Sequence, residues 1–215
     1  MAGLFITFEG GEGAGKSTQA QRLEAHLRAA GREVVRTREP GGTPGAEALR
    51  QLLLFGGHDL SLRAEILAHF AARCDHVDQL IRPALARGAV VICDRFIDST
   101  LAYQGYGLGR ADPGILHLIA VLGAQVGLAP DLTLVLMLER AGALARLRAR
   151  GGPADRYEAA DEAFHARVAD GFDTIARAEA GRCVTIAADR PVDVVAGDIA
   201  RLVDARLETD APGAA

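Results

Sequence analysis

The segment that most constrains the fold is a glycine-rich loop near the start of the chain. Residues 10–17, Gly-Gly-Glu-Gly-Ala-Gly-Lys-Ser, fit the pattern G-x-x-x-x-G-K-[ST]. An apolar run at 4–8 precedes the loop, and a helical pattern follows at 16–30 with Gly31 as its predicted stop. A strand, a glycine loop and a helix in this order predict a phosphate-binding turn, because backbone amides at a helix start attract anions.

The alternation of strand and helix continues along the chain. Short apolar runs at 34–37, 90–93, 132–138 and 184–187 predict four more strands. We expect a helix to about Phe55, a longer one from about Leu62 that Pro83 breaks, and another that begins at Asp112 and Pro113. Residues 105–110 are expected to form a loop. This order predicts an α/β fold, with a five-stranded parallel sheet and helices on both faces.

Composition narrows the class of protein. The chain has 215 residues and is 49% hydrophobic, which predicts one domain over 1–207 and a disordered tail at 208–215. A net charge of −4 argues against nucleic acid as a partner. No apolar run reaches the roughly 18 residues of a membrane span, and no leader is recognisable, so we expect a cytoplasmic protein. Three cysteines without a C-x-x-C spacing indicate neither a disulfide framework nor a zinc site.

The single lysine of the chain lies inside the glycine loop. Lys16 is the only lysine among 24 cationic residues, although the chain uses arginine everywhere else. A compact ammonium suits a crowded phosphate site better than a planar guanidinium does. The alternative, that the loop is a glycine-rich turn that binds no phosphate, is therefore less favoured. The whole loop and Thr18 are therefore predicted to bind the phosphates of a nucleotide, which the family resemblance described below implies to be ATP, and Ser17 to bind Mg²⁺ with Asp94 at the end of the third strand. The ATP-binding set is Gly10, Gly11, Glu12, Gly13, Ala14, Gly15, Lys16, Ser17, Thr18 and Arg146.

Three further segments carry a family resemblance. They are Asp-Arg-Phe-Ile-Asp-Ser-Thr-Leu-Ala-Tyr-Gln at 94–104, Arg-Glu-Pro-Gly-Gly-Thr at 38–43, and Arg-Gly at 150–151 with Asp-Arg-Tyr-Glu at 155–158. Together with the glycine loop they resemble the bacterial thymidylate kinases over roughly residues 4–190. The resemblance implies a P-loop kinase fold and transfer of the γ-phosphoryl group of ATP to dTMP, giving dTDP and ADP for dTTP biosynthesis. It also implies Mg²⁺ as cofactor and a homodimer.

The resemblance assigns roles at the acceptor site. Arg95 is expected to clamp the acceptor phosphate with help from Arg38, Glu12 to accept a hydrogen bond from the 3′-hydroxyl, and Tyr103 to crowd the 2′ position of the sugar. Arg38 could instead form a surface ion pair, and Tyr103 could serve only in packing. The complete set predicted to bind dTMP is Glu12, Arg38, His69, Phe70, Arg73, Arg95, Ser99, Thr100, Tyr103 and Gln104.

The base pocket leaves two alternatives open. Four residues before Arg73 the family usually has a stacking phenylalanine, whereas this chain has His69, with Phe70 next to it. Either ring could stack on thymine. Thr100 and Gln104 suit the N3–H and O4 of the base, although a helix cap and an exposed amide would give the same residues.

The absence of an arginine from the glycine loop predicts a lid, a segment that closes over ATP and supplies an arginine. The glycine loop carries no arginine, so the cation that stabilises the transferred phosphoryl group must come from elsewhere. Arg146, Arg150 and Arg156 lie in a segment at about 146–157 that could close over ATP, and Lys16, Arg95, Glu12, Arg150 and Arg156 form the predicted catalytic set. A solvated basic helix end is the alternative.

Two competing functions remain at this level. One is a P-loop kinase with a different nucleoside or nucleotide acceptor. The other is a nucleotide-binding module without turnover, such as a GTPase-like switch. Guanine-reading switches typically need an Asn-Lys-x-Asp motif, and a chain with no asparagine and one committed lysine lacks it. The kinase reading is therefore favoured.

Overall fold

All strands in the described residues, 3–57, 59–151 and 155–209, lie in one parallel sheet in the computed structural model. The strands are β1 (Leu4–Glu9), β2 (Val34–Arg38), β3 (Val90–Asp94), β4 (Leu132–Met137) and β5 (Cys183–Ala187). The helices are α1 (Lys16–Ala29), α2 (Pro44–Phe55), α3 (Leu62–His76), α4 (Arg82–Ala86), α5 (Ile97–Thr100), α6 (Pro113–Val126), α7 (Arg140–Arg150), α8 (Glu162–Ala178) and α9 (Val192–Thr209). Two π-helical segments, Val77–Ile81 and Leu101–Leu108, extend α3 and α5.

The strand order places the carboxyl ends of β1 and β3 side by side. The order is β2-β3-β1-β4-β5, with Phe8 opposite Asp94 in the β1–β3 pair. The chain crosses from β3 on one side of β1 to β4 on the other. Ligands of open α/β sheets bind at the carboxyl ends of the strands where the direction of winding reverses. The fold therefore predicts a site where the glycine loop leaves β1.

Helices cover both faces of the sheet, which confirms the predicted architecture. Leu4, Ile6 and Phe8 alternate onto the face packed by α1 and α9. Phe5 points to the opposite face, where α3 and α6 pack. A third apolar cluster lies under α8 and includes Tyr103. No helix among the described residues is both long and apolar enough to cross a bilayer.

Pro83 does not end the long helix, contrary to the prediction. The chain passes from α3 through Val77–Ile81 into α4 with helical geometry throughout. In the π-helical segment the hydrogen bonds reach five residues back, as from the Arg82 amide to the Val77 carbonyl. Pro83 follows directly after this segment, in the first turn of α4, where the hydrogen-bond spacing has just changed.

Two other boundaries differ from the predictions. Most of the expected loop at 105–110 belongs to the π-helical segment Leu101–Leu108, because Gly107 packs closely against Phe164 of α8. At the other end of the chain, α9 runs to Thr209, so Glu208 and Thr209 of the expected tail are helical. The rest of that prediction, 210–215, lies outside the described residues.

Candidate active site

The glycine loop is held tightly between β4 and α7. Gly10 and Gly13 have φ angles of 126° and 73°, which side chains rarely allow. A Cβ atom on Gly10 would lie 2.2 Å from the Leu136 carbonyl oxygen, and one on Gly13 would lie 2.7 Å from the Ala143 carbonyl oxygen. Glycine is therefore required at both positions by conformation and by close backbone contact. The loop delivers Lys16 to the first turn of α1.

Buried Lys16 and half-buried Arg95 meet at one carbonyl oxygen of this loop. Lys16 Nζ donates to the Gly10 oxygen at 3.1 Å, and Arg95 Nη1 donates to the same oxygen at 3.0 Å. Lys16 also donates to the Gly11 oxygen at 2.8 Å. Burial and the charge of Arg95 lower the pKa of Lys16 to about 8. Cations are placed this close together where an anion is to bind between them.

Arg95 reaches this position from a strained backbone. Its φ angle is 71°, a left-handed value that is uncommon outside glycine, yet its amide still donates to the Phe8 oxygen of β1 at 2.9 Å. The guanidinium binds Glu12 Oε1 at 2.6 Å, the Tyr103 hydroxyl at 3.0 Å and Ser99 Oγ at 3.0 Å. Strain held in place by so many contacts is typical of functional sites.

Glu12 balances the two cations. Burial alone raises the pKa of Glu12, but the charges of Arg95 and Lys16 and a hydrogen bond from Tyr103 at 2.9 Å outweigh burial and lower that pKa to about 2. The carboxylate is therefore ionised at neutral pH. Burial and the neighbouring Glu12 hold the pKa of Tyr103 well above its usual range, so its hydroxyl keeps its proton.

Ser17 and Asp94 also come together at the end of β3. The Ser17 hydroxyl donates to Asp94 Oδ2 at 2.5 Å. Within the described residues, no cluster of three His, Cys, Asp or Glu side chains could hold a metal ion by itself. A cation at this pair would need further oxygen ligands from a substrate.

A fully buried arginine lies deeper in the site. Arg73 is 2% exposed; its Nε binds Glu39 Oε2 at 2.8 Å and its Nη2 binds Thr100 Oγ1 at 2.9 Å. Its Nη1 atom is buried without a hydrogen-bond partner among the described residues. A buried donor of this kind is costly unless a ligand completes it. His76, which binds Glu39 Oε1 at 3.0 Å, holds the carboxylate from its other side.

The two candidate stacking rings face different surroundings. His69 lines the site and lies 3.2 Å from the Tyr157 hydroxyl through its Nε2 atom. Burial, Arg73 and Arg156 lower the pKa of His69 to about 3, so its ring is neutral. Phe70 is buried in the core, where the Arg73 guanidinium lies 4.8 Å from its ring centre. Of the two rings, only His69 borders the open space.

A cavity of about 580 Å³ joins these groups. Most of the predicted site residues line it: Glu12, Gly13, Gly15, Lys16, Ser17, Thr18, Arg38, His69, Arg73, Asp94, Arg95, Ser99, Thr100, Tyr103, Gln104, Arg146 and Arg150. The predicted residues that do not line it are Gly10, Gly11, Ala14, Phe70 and Arg156. Lining residues missed in the sequence include Glu39, Arg50 and Tyr157. Of these three, Glu39 and Tyr157 could have been predicted, because both lie inside the motifs that resemble the thymidylate kinases.

The arginines of the predicted lid and of β2 have partners of their own. Arg146 donates to the Ala14 oxygen at 3.3 Å and to the Ala188 oxygen at 2.7 Å. Arg150 pairs with Glu158 at 2.7 Å, whereas Arg156 does not line the cavity and pairs with the buried Glu65 at 3.1 Å. Residues 152–154 of the predicted lid lie outside the described residues.

Arg38 is consistent with both predictions made for it, a contact with the acceptor phosphate and a surface ion pair. It lines the cavity, but it is 56% exposed and pairs with Glu47 at 3.2 Å, which is the surface ion pair named as its alternative.

Comparison with known proteins bears on the reaction. A family model described as thymidylate kinase matches residues 8–199. A thymidylate kinase of Gluconobacter oxydans is 58% identical over 205 residues, 95% of this chain and 96% of the relative, and one of Caulobacter vibrioides is 54% identical over 208 residues, 95% and 98%. The crystal structure of thymidylate kinase from Ehrlichia chaffeensis has a TM-score of 0.77 and 35% identity, covering 95% of this chain and 99% of that one.

The matches span the glycine loop, the strand that carries Arg95 and the segment around Tyr157, and they agree with the fold described above. They support the kinase reading over a nucleotide-binding module without turnover. The chain therefore belongs to the thymidylate kinase family and is an ATP-dependent nucleoside monophosphate kinase.

Proposed function

We propose that this chain transfers the γ-phosphoryl group of ATP to dTMP within the 580 Å³ cavity, giving dTDP and ADP. The observation that carries the proposal is the meeting of Lys16 and Arg95 at the Gly10 oxygen. One cation belongs to the donor loop and the other to the acceptor side. The attacking phosphate oxygen of dTMP is already ionised, so the reaction needs positioning and charge neutralisation more than a base.

The donor side is built on the glycine loop. Amides of residues 10–17 bind the phosphates, Thr18 supports them at the start of α1, and Lys16 leaves its carbonyl partners to bind the outer phosphates. A smaller cavity of about 230 Å³ continues past Arg146 and is lined by Gln19 and Val192. Gln19 Oε1 is buried there without a partner among the described residues, so we assign this space to the adenosine of ATP.

Ser17 and Asp94 fit a magnesium ion as the cofactor. They offer only oxygen ligands, and Mg²⁺ in kinases is held by one or two side chains together with substrate phosphates. When bound, the ion neutralises charge on the transferred phosphoryl group. Ser17 and Asp94 would hold it beside the loop, directly or through water.

The acceptor phosphate and sugar are assigned to Arg95 and its neighbours. Arg95 exchanges Glu12 for a phosphate oxygen and clamps the phosphate with two nitrogens, with Arg38 in support. Glu12 then accepts a hydrogen bond from the 3′-hydroxyl. Tyr103, fixed against Arg95 with its ring 4.8 Å from the guanidinium, crowds the 2′ position, and Ser99 holds Arg95 in place.

The base is assigned to the deep end of the cavity. The free Nη1 atom of Arg73 donates to O4, and Gln104 accepts from N3–H. Thr100, whose hydroxyl already accepts a hydrogen bond from Arg73, fixes that guanidinium. His69 stacks on the ring of the base, while Phe70 supports the arginine from the core.

A substrate panel tests the acceptor. We expect dTMP to have the highest kcat/KM among dTMP, dUMP, CMP, AMP and GMP, measured by ADP release in a coupled assay. Cytosine and adenine carry an amino group where thymine has O4, so they leave Arg73 Nη1 unpaired in a buried site, which typically costs a factor of about 10 to 100 in kcat/KM. A different best acceptor would favour the alternative, a P-loop kinase acting on another nucleotide.

The lid arginines make a separate prediction. Arg150→Ala is expected to lower kcat by about 100-fold with a smaller change in dTMP affinity, because Arg150 lines the cavity and its pairing with Glu158 is exchangeable. Arg156→Ala is expected to act in the same direction, although Arg156 must first leave Glu65. Steady-state kinetics and calorimetric dTMP binding separate the two quantities.

Arg148→Ala is the matched control, since Arg148 is exposed in the last turn of the same helix. Full activity in both Arg150→Ala and Arg156→Ala would remove the lid from the mechanism.

We also propose a homodimer, as the family resemblance implies. Leu67 on α3 and Val121 on α6 are exposed apolar side chains on two helices that contact each other, which supports a contact between copies through these helices. Sedimentation velocity measures the assembly. A cytoplasmic location, with neither nucleic acid nor a membrane as partner, stays a prediction from composition.

A further inference from the structure

The buried carboxylate of Glu65 is not used by the mechanism above. We propose that Glu65 determines which pyrimidines the site accepts, by fixing the orientation of the Gln104 side-chain amide. The inference rests on the proposed function, in which Gln104 faces the base. It makes Glu65 a specificity-determining residue that acts through another side chain.

Glu65 contacts the amide directly. Gln104 Nε2 lies 2.9 Å from Glu65 Oε1, and each of the two residues is only 1% exposed. A carboxylate accepts hydrogen bonds and donates none. The NH₂ group of Gln104 must therefore face Glu65, because the reversed amide would place oxygen against oxygen in a buried site.

Tyr157 imposes the same orientation. Its hydroxyl donates to Glu65 Oε1 at 2.8 Å, and Gln104 Nε2 donates to the Tyr157 oxygen at 3.0 Å. A phenol has a single proton, and Tyr157 donates it in the hydrogen bond to Glu65. The Tyr157 oxygen can therefore only accept from Gln104, so both neighbours of the amide require a donor.

Arg156 and His69 complete the network around Glu65 and Tyr157. Arg156 Nη1 pairs with the second oxygen, Glu65 Oε2, at 3.1 Å and compensates the buried charge. His69 is neutral because its pKa is lowered to about 3, and its Nε2 lies 3.2 Å from the Tyr157 oxygen. Since the Tyr157 proton is committed, His69 must be the donor there. The donors of the network thus face either Glu65 or the Tyr157 oxygen.

The consequence lies on the other side of the amide. With Nε2 committed, the Gln104 carbonyl oxygen Oε1 is left to face the cavity that Gln104 lines. An oxygen there accepts from the N3–H of thymine or uracil. It repels cytosine, whose N3 carries a lone pair. Arg73 Nη1, a donor aimed at position 4, opposes the amino group of cytosine as a second and independent determinant.

Glu65→Gln tests the proposal with almost no change in shape. Arg156 attracts the oxygen of the new amide and turns its NH₂ group toward Gln104, which can then reverse. We expect the ratio of kcat/KM for dUMP over dCMP to fall about tenfold or more. These two acceptors differ only at N3 and position 4. The dTMP over dUMP ratio, which reports the 5-methyl group, is expected to stay within about twofold.

Matched variants separate orientation from general damage. Glu24→Gln removes a carboxylate that pairs with Arg28 and Arg36 away from the cavity, and it should leave the dUMP over dCMP ratio unchanged. Glu65→Gln combined with Gln104→Leu should give the same ratio as Gln104→Leu alone, because Glu65 acts through Gln104. Tyr157→Phe, which removes one of the two acceptors, should lower the ratio by a smaller factor.

The outcomes distinguish this inference from the proposed function. An unchanged dUMP over dCMP ratio in Glu65→Gln, or an equal loss of activity with both acceptors, would overturn the role of Glu65 alone. A further fall of the ratio when Glu65→Gln is added to Gln104→Leu would do the same. A wild-type enzyme that prefers dCMP to dTMP and dUMP would overturn the proposed function and this inference with it.

Discussion

Lys16→Ala is expected to lower kcat by about a thousandfold while leaving the fold intact. The ammonium is the only cation of the donor loop, and removing one preorganised charge from a phosphoryl-transfer site typically costs a factor of about 10²–10³ or more. The fold should survive because Lys16 contacts loop carbonyls rather than the apolar core. Steady-state kinetics with saturating dTMP and ATP give kcat, and thermal unfolding gives stability.

Lys16→Ala is also expected to change how the free energy of unfolding depends on pH. The pKa of Lys16 is about 8 in the folded protein against 10.5 for a free lysine, because burial and Arg95 disfavour its charge. Between pH 8 and 10.5 the unfolded chain binds more protons at this site, so the free energy of unfolding rises with pH there. Lys16→Ala should lack this rise.

Arg28→Ala is the matched control, since it removes an exposed cation from the same helix. Near-normal kcat in Lys16→Ala would contradict the assignment of the donor site.

Local sequence rules predicted the framework well, because each depends on few neighbouring residues. The strand–loop–helix order at residues 4–30 appears in the structure with Gly31 closing α1, and Asp112 caps α6 through the Ile115 amide at 3.0 Å. The parallel order of the strands follows from the alternation of strands and helices. These features place Lys16 and Arg95 at the carboxyl ends of two strands, and the structure shows that these strands lie side by side.

Features that depend on distant contacts were not predictable in the same way. Glu65 and Glu39 are acids in patterns that suggest solvent exposure, yet Arg156 and Arg73 allow both to be buried. The continued helix at Pro83 depends on the π-helical segment before it, for which the sequence has no simple signature. Tertiary partners far along the chain, rather than local preference, determine these positions.

Arg95→Ala is expected to lower kcat/KM for dTMP by about a thousandfold or more. Arg95 binds three side chains and the loop with its two terminal nitrogens, so the loss removes the acceptor clamp and the fixed place of Tyr103 together. The KM for ATP should change much less. Initial rates with each substrate varied in turn separate the two effects.

Arg95→Lys should not restore activity, and this makes the prediction specific. An ammonium is a point charge with one nitrogen, whereas the structure uses Nη1 for Gly10 and Ser99 and Nη2 for Glu12 and Tyr103. Arg95→Ala also leaves Glu12 without its ion-pair partner, at a cost of about 3 kcal/mol, so assays of that variant belong below its lowered melting temperature.

Arg87→Ala serves as the control. Arg87 lies at the opposite end of β3, and among the ion pairs of the described residues its only partner is the exposed Glu33. If Arg95→Lys worked as well as the wild type, simple charge would suffice at the acceptor site and the two-nitrogen clamp would be wrong. If it failed like Arg95→Ala, the left-handed backbone at position 95 has a clear function, since it turns a guanidinium rather than any cation toward the loop.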